Sequence, residues 1–96
     1  MFVNLIQFPP IREGKEEAFL DWFSWSNKIY EPWKGFISRT LLSPTKADGH
    51  YAAIVEHESE ETFMAMHLSE DRQRAWEGVE ELFDGSPQPS FYLRSQ

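Results

Sequence analysis

All three histidines of this 96-residue chain lie within residues 50–67, so metal binding and acid–base catalysis are the first chemistry to consider. A zinc site needs three or four nitrogen, sulfur or oxygen ligands at compatible spacing. His50, His57 and His67 form neither an H-x-H nor an H-x-x-x-H pattern, and the chain has no cysteine. We expect no metal site, with His50 exposed in a turn and His57 in a structural or surface role. His67 lies on a predicted helix and is the candidate base, because histidine titrates near neutral pH.

Asn4 is the second candidate for chemistry. It shares one face of a predicted strand with Phe2, Ile6 and Phe8, and this face is expected beneath the helices. A buried amide without a hydrogen-bond partner costs about 1–3 kcal/mol, so Asn4 must have one. The partner is either a substrate oxygen, to which Asn4 would donate, or a water or protein group that fixes the register of the strand. The sequence leaves these possibilities open.

A third group of candidates is apolar. Rows of residues at helical spacing place Trp22, Phe23, Phe63 and Trp76 toward the predicted sheet, with Met66 beside them. Aromatic residues at such spacing most often form a core, but they also line pockets for flat ligands. We expect these five side chains to contact a small aromatic substrate.

These candidates are positioned by predicted elements in the order β-α-β-β-α-β. Strands are predicted at 2–8, 35–43, 50–57 and 90–95, and helical regions at 15–31 and 59–83. This order predicts an α+β fold of the ferredoxin-like type, a four-stranded antiparallel sheet with two helices on one face. Because no linker or repeat interrupts the chain, residues 1–96 are predicted to form a single domain.

The helix-free face of this sheet is predicted to be covered by a second copy of the chain. Strict alternation places Val3 on that face of the first strand, and Ile37 and Arg39 on that face of the second. Neither face is consistently polar, and a bare apolar face is rare on a monomer. A homodimer closed into a barrel is therefore expected, with Arg39 near the interface, where Glu56 could neutralise it. The alternative is a monomer with partly exposed aliphatic residues.

The charge balance limits the partners of the chain. Sixteen acidic and nine basic residues leave a formal net charge of −7. Nucleic acid and anionic membranes are therefore not expected to bind, since both require clustered Lys and Arg. The absence of cysteine excludes thiol catalysis and disulfides. The chain also lacks a membrane-length apolar run and the features of a signal peptide, so a cytoplasmic protein is predicted.

Nearly the whole chain carries motifs in a distinctive order: VNLIQFP, EGKEEAFLDWF, GFISRTLLSPTKADGHYAAIVEHESEETFMAM and the closing strand. In this order and spacing the chain resembles the antibiotic biosynthesis monooxygenase (ABM) family of dimeric α+β barrels. The most specific part runs from Gly35-Phe36 through LLSP to ESEETF. There the family typically has Gly-Phe, a strand, a Tyr-bearing strand and Ser-x-x-x-Phe at the start of a helix. The resemblance implies the same fold and the barrel dimer.

The resemblance also implies two kinds of activity, each on a flat ligand held between the sheet and the helices. One branch of the family comprises cofactor-independent monooxygenases of polycyclic aromatic or quinol-like substrates, and another degrades haem. Asn4 stands where the haem branch has its asparagine. Met66 replaces the tryptophan of that branch, and Ala75 or Trp76 stands at the position of its haem-ligating histidine. His67 lies about two helical turns before that position.

The predicted function is therefore that of a small monooxygenase without a cofactor, acting on an aromatic or quinol-like molecule with Asn4 and His67 as catalytic residues. One alternative is a binding or sensor module of the same fold without chemistry. Another is a variant haem-binding or haem-degrading protein. A pocket that contains Asn4 and His67 together would favour the enzyme over the binding module.

Overall fold

The computed structural model describes residues 1–95 and contains one four-stranded antiparallel sheet with strand order β2-β3-β1-β4. The strands are β1 (Phe2–Gln7), β2 (Phe36–Leu42), β3 (Ala52–His57) and β4 (Gln88–Leu93), and the helices are α1 (Glu16–Tyr30), α2 (Glu60–His67), α3 (Glu70–Trp76) and the 3₁₀ helix Val79–Leu82. The predicted ferredoxin-like α+β fold is confirmed. None of the helices within residues 1–95 is long and apolar enough to span a bilayer.

The central strand β1 places Asn4 on the helix side of the sheet. Phe2, Asn4 and Ile6 are buried, whereas the residues between them are less so, as the period of two in the sequence predicts. Asn4 lies opposite Val55 on β3 and Phe91 on β4. Because β1 pairs with a strand on each side, the position of Asn4 is fixed by two ladders.

The second predicted helical region is divided into α2, α3 and the 3₁₀ helix. Ser59 begins α2 through a capping box with Thr62. Ser69 ends this first segment and begins the next, since its hydroxyl donates to the carbonyl of Met66 and accepts from the N–H of Arg72. Such local side-chain bonds compete with a continuous helix. Each segment buries its own residues: Phe63 and Met66, Ala75, and Val79.

A β-bulge near the start of β2 changes the predicted faces of that strand. Phe36 lies opposite His57, and Ser38 lies opposite Glu56, the residue that precedes His57 in β3. Between these two pairs β2 therefore contains one residue, Ile37, that has no partner on β3. An extra residue shifts every following side chain to the other face, because the period of a strand is two.

The bulge places Arg39 beneath the helices. Arg39 lies opposite Val55, a buried residue on the helix side of β3. The prediction that Arg39 occupies the helix-free face near Glu56 is therefore wrong. The carboxylate of Glu56 instead accepts a hydrogen bond from Arg94 at 3.1 Å.

The core fills the layer between the sheet and the helices. Phe8, Phe19 and Phe83 pack against one another there, with ring centroids 5.1–5.7 Å apart. On the helix-free face, Ile37 is 43% exposed and Leu42 is 40% exposed. The edge strand β4 is exposed along its whole length. This face therefore retains apolar area that its own chain does not cover.

Candidate functional site

A cavity of about 760 Å³ lies between the helix side of the sheet and the segments α2, α3 and Val79–Leu82. This volume suits a small organic molecule. Part of its wall is apolar and part is polar or charged. The apolar part includes Ile6, Val55, Phe63, Met66, Trp76 and Phe83, and the polar part includes Asn4, Tyr30, Arg39, His67 and Arg72.

Asn4 lines this cavity and carries an unpartnered polar atom. The residue is 4% exposed, and its buried Oδ1 atom has no hydrogen-bond partner within residues 1–95. An unpaired buried acceptor of this kind costs about 1–3 kcal/mol. Unsatisfied buried groups are rare in folded proteins, and each calls for an explanation such as a catalytic role or a bound water. The free atom is an acceptor, so the ligand group that would satisfy it is a hydroxyl or N–H.

His67 is the last residue of α2, and its imidazole also lines the cavity. The ring is stacked on Phe63, with centroids 5.3 Å apart and planes 19° from parallel. Burial lowers the pKa of His67, and the positive charge of Arg72 lowers it further. The imidazole is therefore neutral at neutral pH and can accept a proton.

Arg39 is the most highly connected side chain of the site. Its Nη1 donates to the Ser26 hydroxyl at 2.7 Å, to Asn27 Oδ1 at 2.8 Å and to the Phe23 carbonyl at 3.2 Å. Its guanidinium carbon lies 4.0 Å from the ring centroid of Phe23 and 4.8 Å from that of Tyr30. Burial lowers the pKa of Arg39 to about 10, which Tyr30 partly opposes, so the group stays charged at neutral pH.

Tyr30 ends α1 and is buried beside this guanidinium. Burial raises the pKa of the Tyr30 phenol, while Arg39, the indole of Trp76 and Arg72 oppose the rise. Tyr30 is thus a neutral phenol at neutral pH, available as a donor or acceptor at the wall of the cavity.

The cavity is richer in positive charge than the chain as a whole. Arg12, Arg39 and Arg72 line it, and the acidic residues on its wall, Glu80 and Glu81, are exposed at the surface. The chain itself carries a formal net charge of −7. The local surplus of guanidinium groups favours an anionic or electron-rich ligand.

The structure brings together five of the seven predicted site residues. Asn4, His67, Phe63, Met66 and Trp76 all line the one cavity.

Trp22 and Phe23 lie behind the wall instead. The indole of Trp22 donates to the Ala75 carbonyl at 2.6 Å and packs against Trp76, with ring centroids 5.0 Å apart. Phe23 lies beneath Arg39. These two residues support side chains that line the cavity, and their contact with a substrate remains a prediction.

Sequence reasoning did not identify Tyr30 and Arg39 as site residues. Tyr30 lies in the same apolar row of α1 as Phe19 and Phe23, and such spacing predicts core packing rather than a site. Arg39 gave no usable signal, because simple alternation assigns it to the wrong face once β2 contains a bulge.

The other histidines lie outside the cavity. His50 is exposed, as predicted. His57 is 0% exposed, its Nδ1 lies 3.0 Å from the Thr62 hydroxyl, and its Nε2 has no partner within residues 1–95. Burial lowers the pKa of His57, which the neighbouring Glu58 partly opposes. In the part of the chain that the structure describes, no three His, Asp or Glu side chains are grouped so that they could bind a metal ion.

Comparison with solved structures identifies the same fold in ABM proteins. A candidate ABM protein from Nitrosomonas europaea matches with a TM-score of 0.86 and 11% identity over 100% of both chains. Another from Bordetella bronchiseptica matches with a TM-score of 0.82 and 20% identity, over 99% of this chain and 98% of that one. SnoaB from Streptomyces nogalater, described as a cofactor-independent oxygenase, gives a TM-score of 0.83 and 16% identity, over 99% and 94% of the two chains.

Neither protein-family models nor curated proteins gave a match to the chain. The structural likeness confirms the predicted ABM-type fold. At these identities it shows the fold alone, since one fold hosts many functions. The function has to be argued from the cavity.

Proposed function

We propose that this chain, which has the fold of the ABM proteins, is a small cofactor-independent monooxygenase of an aromatic or quinol-like molecule. The observation that carries the proposal is that Asn4 and His67 line one cavity, the first with an unpartnered buried oxygen and the second with a neutral imidazole. The likeness in fold to SnoaB supports the same reaction class.

In such a reaction the substrate supplies all four electrons that O₂ takes up. Oxidation of a phenol to a quinone illustrates the balance. The C–H bond opposite the hydroxyl breaks, and one oxygen atom forms a carbonyl at that carbon. The other oxygen atom leaves as water, with the hydrogen atoms of the C–H and O–H groups. Loss of the hydroxyl proton comes first, because a phenolate gives an electron to O₂ more readily than a phenol.

The residues of the cavity can perform the protein's share of this reaction. His67 takes the hydroxyl proton, since burial keeps its imidazole neutral. Asn4 accepts a hydrogen bond from a second hydroxyl or N–H group of the substrate, other than the hydroxyl that His67 deprotonates, and so orients the ring. Phe63, Met66 and Trp76 form an apolar wall that excludes water from the reactive anion.

Oxygen consumption with a panel of hydroquinones, naphthols and hydroxyanthracenes tests the proposal. One O₂ should be consumed for each quinone formed from a naphthol or hydroxyanthracene, and for each hydroxyquinone formed from a hydroquinone. His67→Ala should lower kcat by about 10²-fold or more, the range of a positioned base, and Asn4→Ala should also lower it. His50→Ala is the matched control, because His50 is exposed and outside the cavity. No turnover across the panel, or unchanged turnover in Asn4→Ala, would reject the proposal. Tight binding without turnover would indicate the binding or sensor module instead.

A haem-binding protein is the second candidate, and the presence of His67 in the cavity is the observation that favours it. The donor chemistry fits, since a neutral imidazole is a common axial ligand and Arg39 and Arg72 could pair with the haem carboxylates. His67 would hold the iron, and the haem would supply the activation of O₂. Titration with haemin should then produce a Soret shift that is lost in His67→Ala and retained in His50→Ala. A shift that persists in His67→Ala would exclude this ligand.

We also propose that a second copy of the chain covers the helix-free face. The exposed apolar residues there, Ile37 and Leu42, and the exposed edge strand β4 support this assembly. Sedimentation at micromolar concentration should show a dimer, which Ile37→Glu should weaken. Leu68→Glu is the control, because Leu68 is exposed on the helical layer. A compact monomer at that concentration would reject the dimer.

A further inference from the structure

We propose that Arg39 binds a carboxylate of the substrate, so that the cavity takes an aromatic acid and discriminates against the corresponding neutral molecule. The inference rests on the proposed function, since it names the substrate class of the same cavity. It follows from how the guanidinium is anchored and from which of its donors remain free.

The anchor of Arg39 uses a single nitrogen. Nη1 makes all three of its hydrogen bonds, to Phe23, Ser26 and Asn27 on α1. Every acceptor is neutral. No Asp or Glu side chain within residues 1–95 forms a salt bridge with Arg39, although acidic residues outnumber basic ones in this chain.

The remaining donors of Arg39 form the edge that recognises carboxylates. Nε and Nη2 have no hydrogen-bond partner within residues 1–95, although the residue lines the cavity. The N–H groups on this edge are parallel and match the two oxygens of a carboxylate. Because Nη1 is held by three acceptors, the plane of the guanidinium is set before a ligand arrives.

The surroundings of Arg39 make a ligand anion favourable. The guanidinium lies on the faces of Phe23 and Tyr30, and the residue is half-buried. Burial lowers its pKa to about 10, which means that the charge is held at a cost in free energy. A charged group held without a counter-ion gains most from an incoming carboxylate.

The other charged groups of the cavity are less suited to this role. Arg12 is exposed, and its Nε is already bonded to the Phe83 carbonyl at 2.7 Å. Arg72 lies over the Trp76 ring, 5.2 Å from its centroid, without the three-bond anchor of Arg39. Glu80 and Glu81 are exposed and therefore screened by water. Arg39 is thus the group that fixes the position of the acid.

Binding measured without oxygen tests the proposal. The ligands are 1-hydroxy-2-naphthoic acid and its neutral partner 1-hydroxy-2-naphthamide, titrated anaerobically by calorimetry at pH 8. The wild-type chain should bind the acid about tenfold or more tightly than the amide, as expected for a charge-assisted bidentate pair. Arg39→Met should bring the ratio close to one, and Arg39→Lys should leave an intermediate ratio. Arg74→Met is the control, because Arg74 is exposed and does not line the cavity.

Several outcomes would overturn the assignment. Equal affinity of the wild-type chain for acid and amide, or no binding of the acid, would do so even if Arg39→Met failed to fold. A ratio that falls equally in Arg39→Met and Arg74→Met would assign the preference to general charge.

The result is separable from the proposed function. A preference for the acid without oxygen consumption on the panel would reject the oxygenase and retain the role of Arg39. Turnover of neutral quinols, combined with no preference for the acid, would retain the oxygenase and reject the role of Arg39.

Discussion

Replacing Asn4 with leucine is expected to stabilise the protein and to abolish turnover. Leucine has the same branched side-chain skeleton as asparagine, so it removes the amide without leaving a large gap. Asn4 is 4% exposed, and its Oδ1 has no hydrogen-bond partner within residues 1–95. The folded protein therefore carries the cost of an unpaired buried acceptor, which the leucine variant would not.

The magnitude follows from that cost. Burial of an unsatisfied polar group lowers the free energy of unfolding by about 1–3 kcal/mol, and exchange for an apolar group of similar shape removes this cost. For a domain of this size, each kcal/mol shifts Tm by about 4–8 °C. We expect Asn4→Leu to raise the free energy of unfolding by about 1–2 kcal/mol and Tm by at least ~4 °C.

Urea unfolding, followed by tryptophan fluorescence at one fixed protein concentration, measures this change. The concentration must be fixed because association would add to the apparent stability. Asn27→Leu is the matched control. The Asn27 side chain accepts a hydrogen bond from Arg39 Nη1 at 2.8 Å, so its loss should destabilise the protein by about 1–3 kcal/mol. The same exchange should thus have opposite signs at the two positions.

A destabilised Asn4→Leu variant would refute the reasoning. It would mean that the amide makes an internal bond that fixes the register of β1, the alternative that the sequence left open. A stabilised variant with full turnover would refute only the role of Asn4 in the reaction, because its unpaired oxygen would then make no bond to the substrate.

Further predictions concern the packing around the second helix. Burial lowers the pKa of His57, so below about pH 6.5, the ordinary pKa of histidine, the unfolded chain binds a proton that the folded chain does not. Acidification through this range should therefore lower the free energy of unfolding. His57→Gln should reduce this slope in urea unfolding at each pH, and an unchanged slope would exclude His57 as a source. Gly35→Ala should destabilise the protein by more than ~2 kcal/mol, because φ is +84° and a Cβ atom would clash with the Thr62 side chain. Gly14→Ala is the control, because φ is +79° there but no atom lies within 4 Å of the added Cβ, so only the strained backbone should lower the stability. Equal falls in Tm in the two variants would show that the Cβ of residue 35 does not clash with Thr62. Ser59→Ala should cost about 1 kcal/mol through loss of the cap of α2, and thermal melting should show Ser59→Asp close to wild type.

Local patterns were sufficient for the features that depend on near neighbours in the chain. The period of two placed Asn4 with Phe2 and Ile6 on the buried face of β1. Helical spacing placed Phe19 and Phe23 on the buried face of α1. Both patterns depend on residues a few positions apart, so the sequence alone determines them once the element type is known. The β-α-β-β-α-β order, and with it the ferredoxin-like fold, followed from the same local information.

Two other features are not recorded in hydrophobic periodicity. The break at Ser69 depends on a short polar residue that satisfies both Met66 and Arg72. The bulge in β2 is a property of its pairing with β3, which no pattern within β2 records.

The sequence by itself therefore determined the fold and the face on which Asn4 lies, because hydrophobic periodicity acts within each element. Only the tertiary structure decided that Asn4, His67 and Arg39 share one cavity, since their elements meet through the sheet register and helix packing. For Arg39 the difference was a single inserted residue in β2, which moved the guanidinium from the predicted interface to the wall of the candidate site.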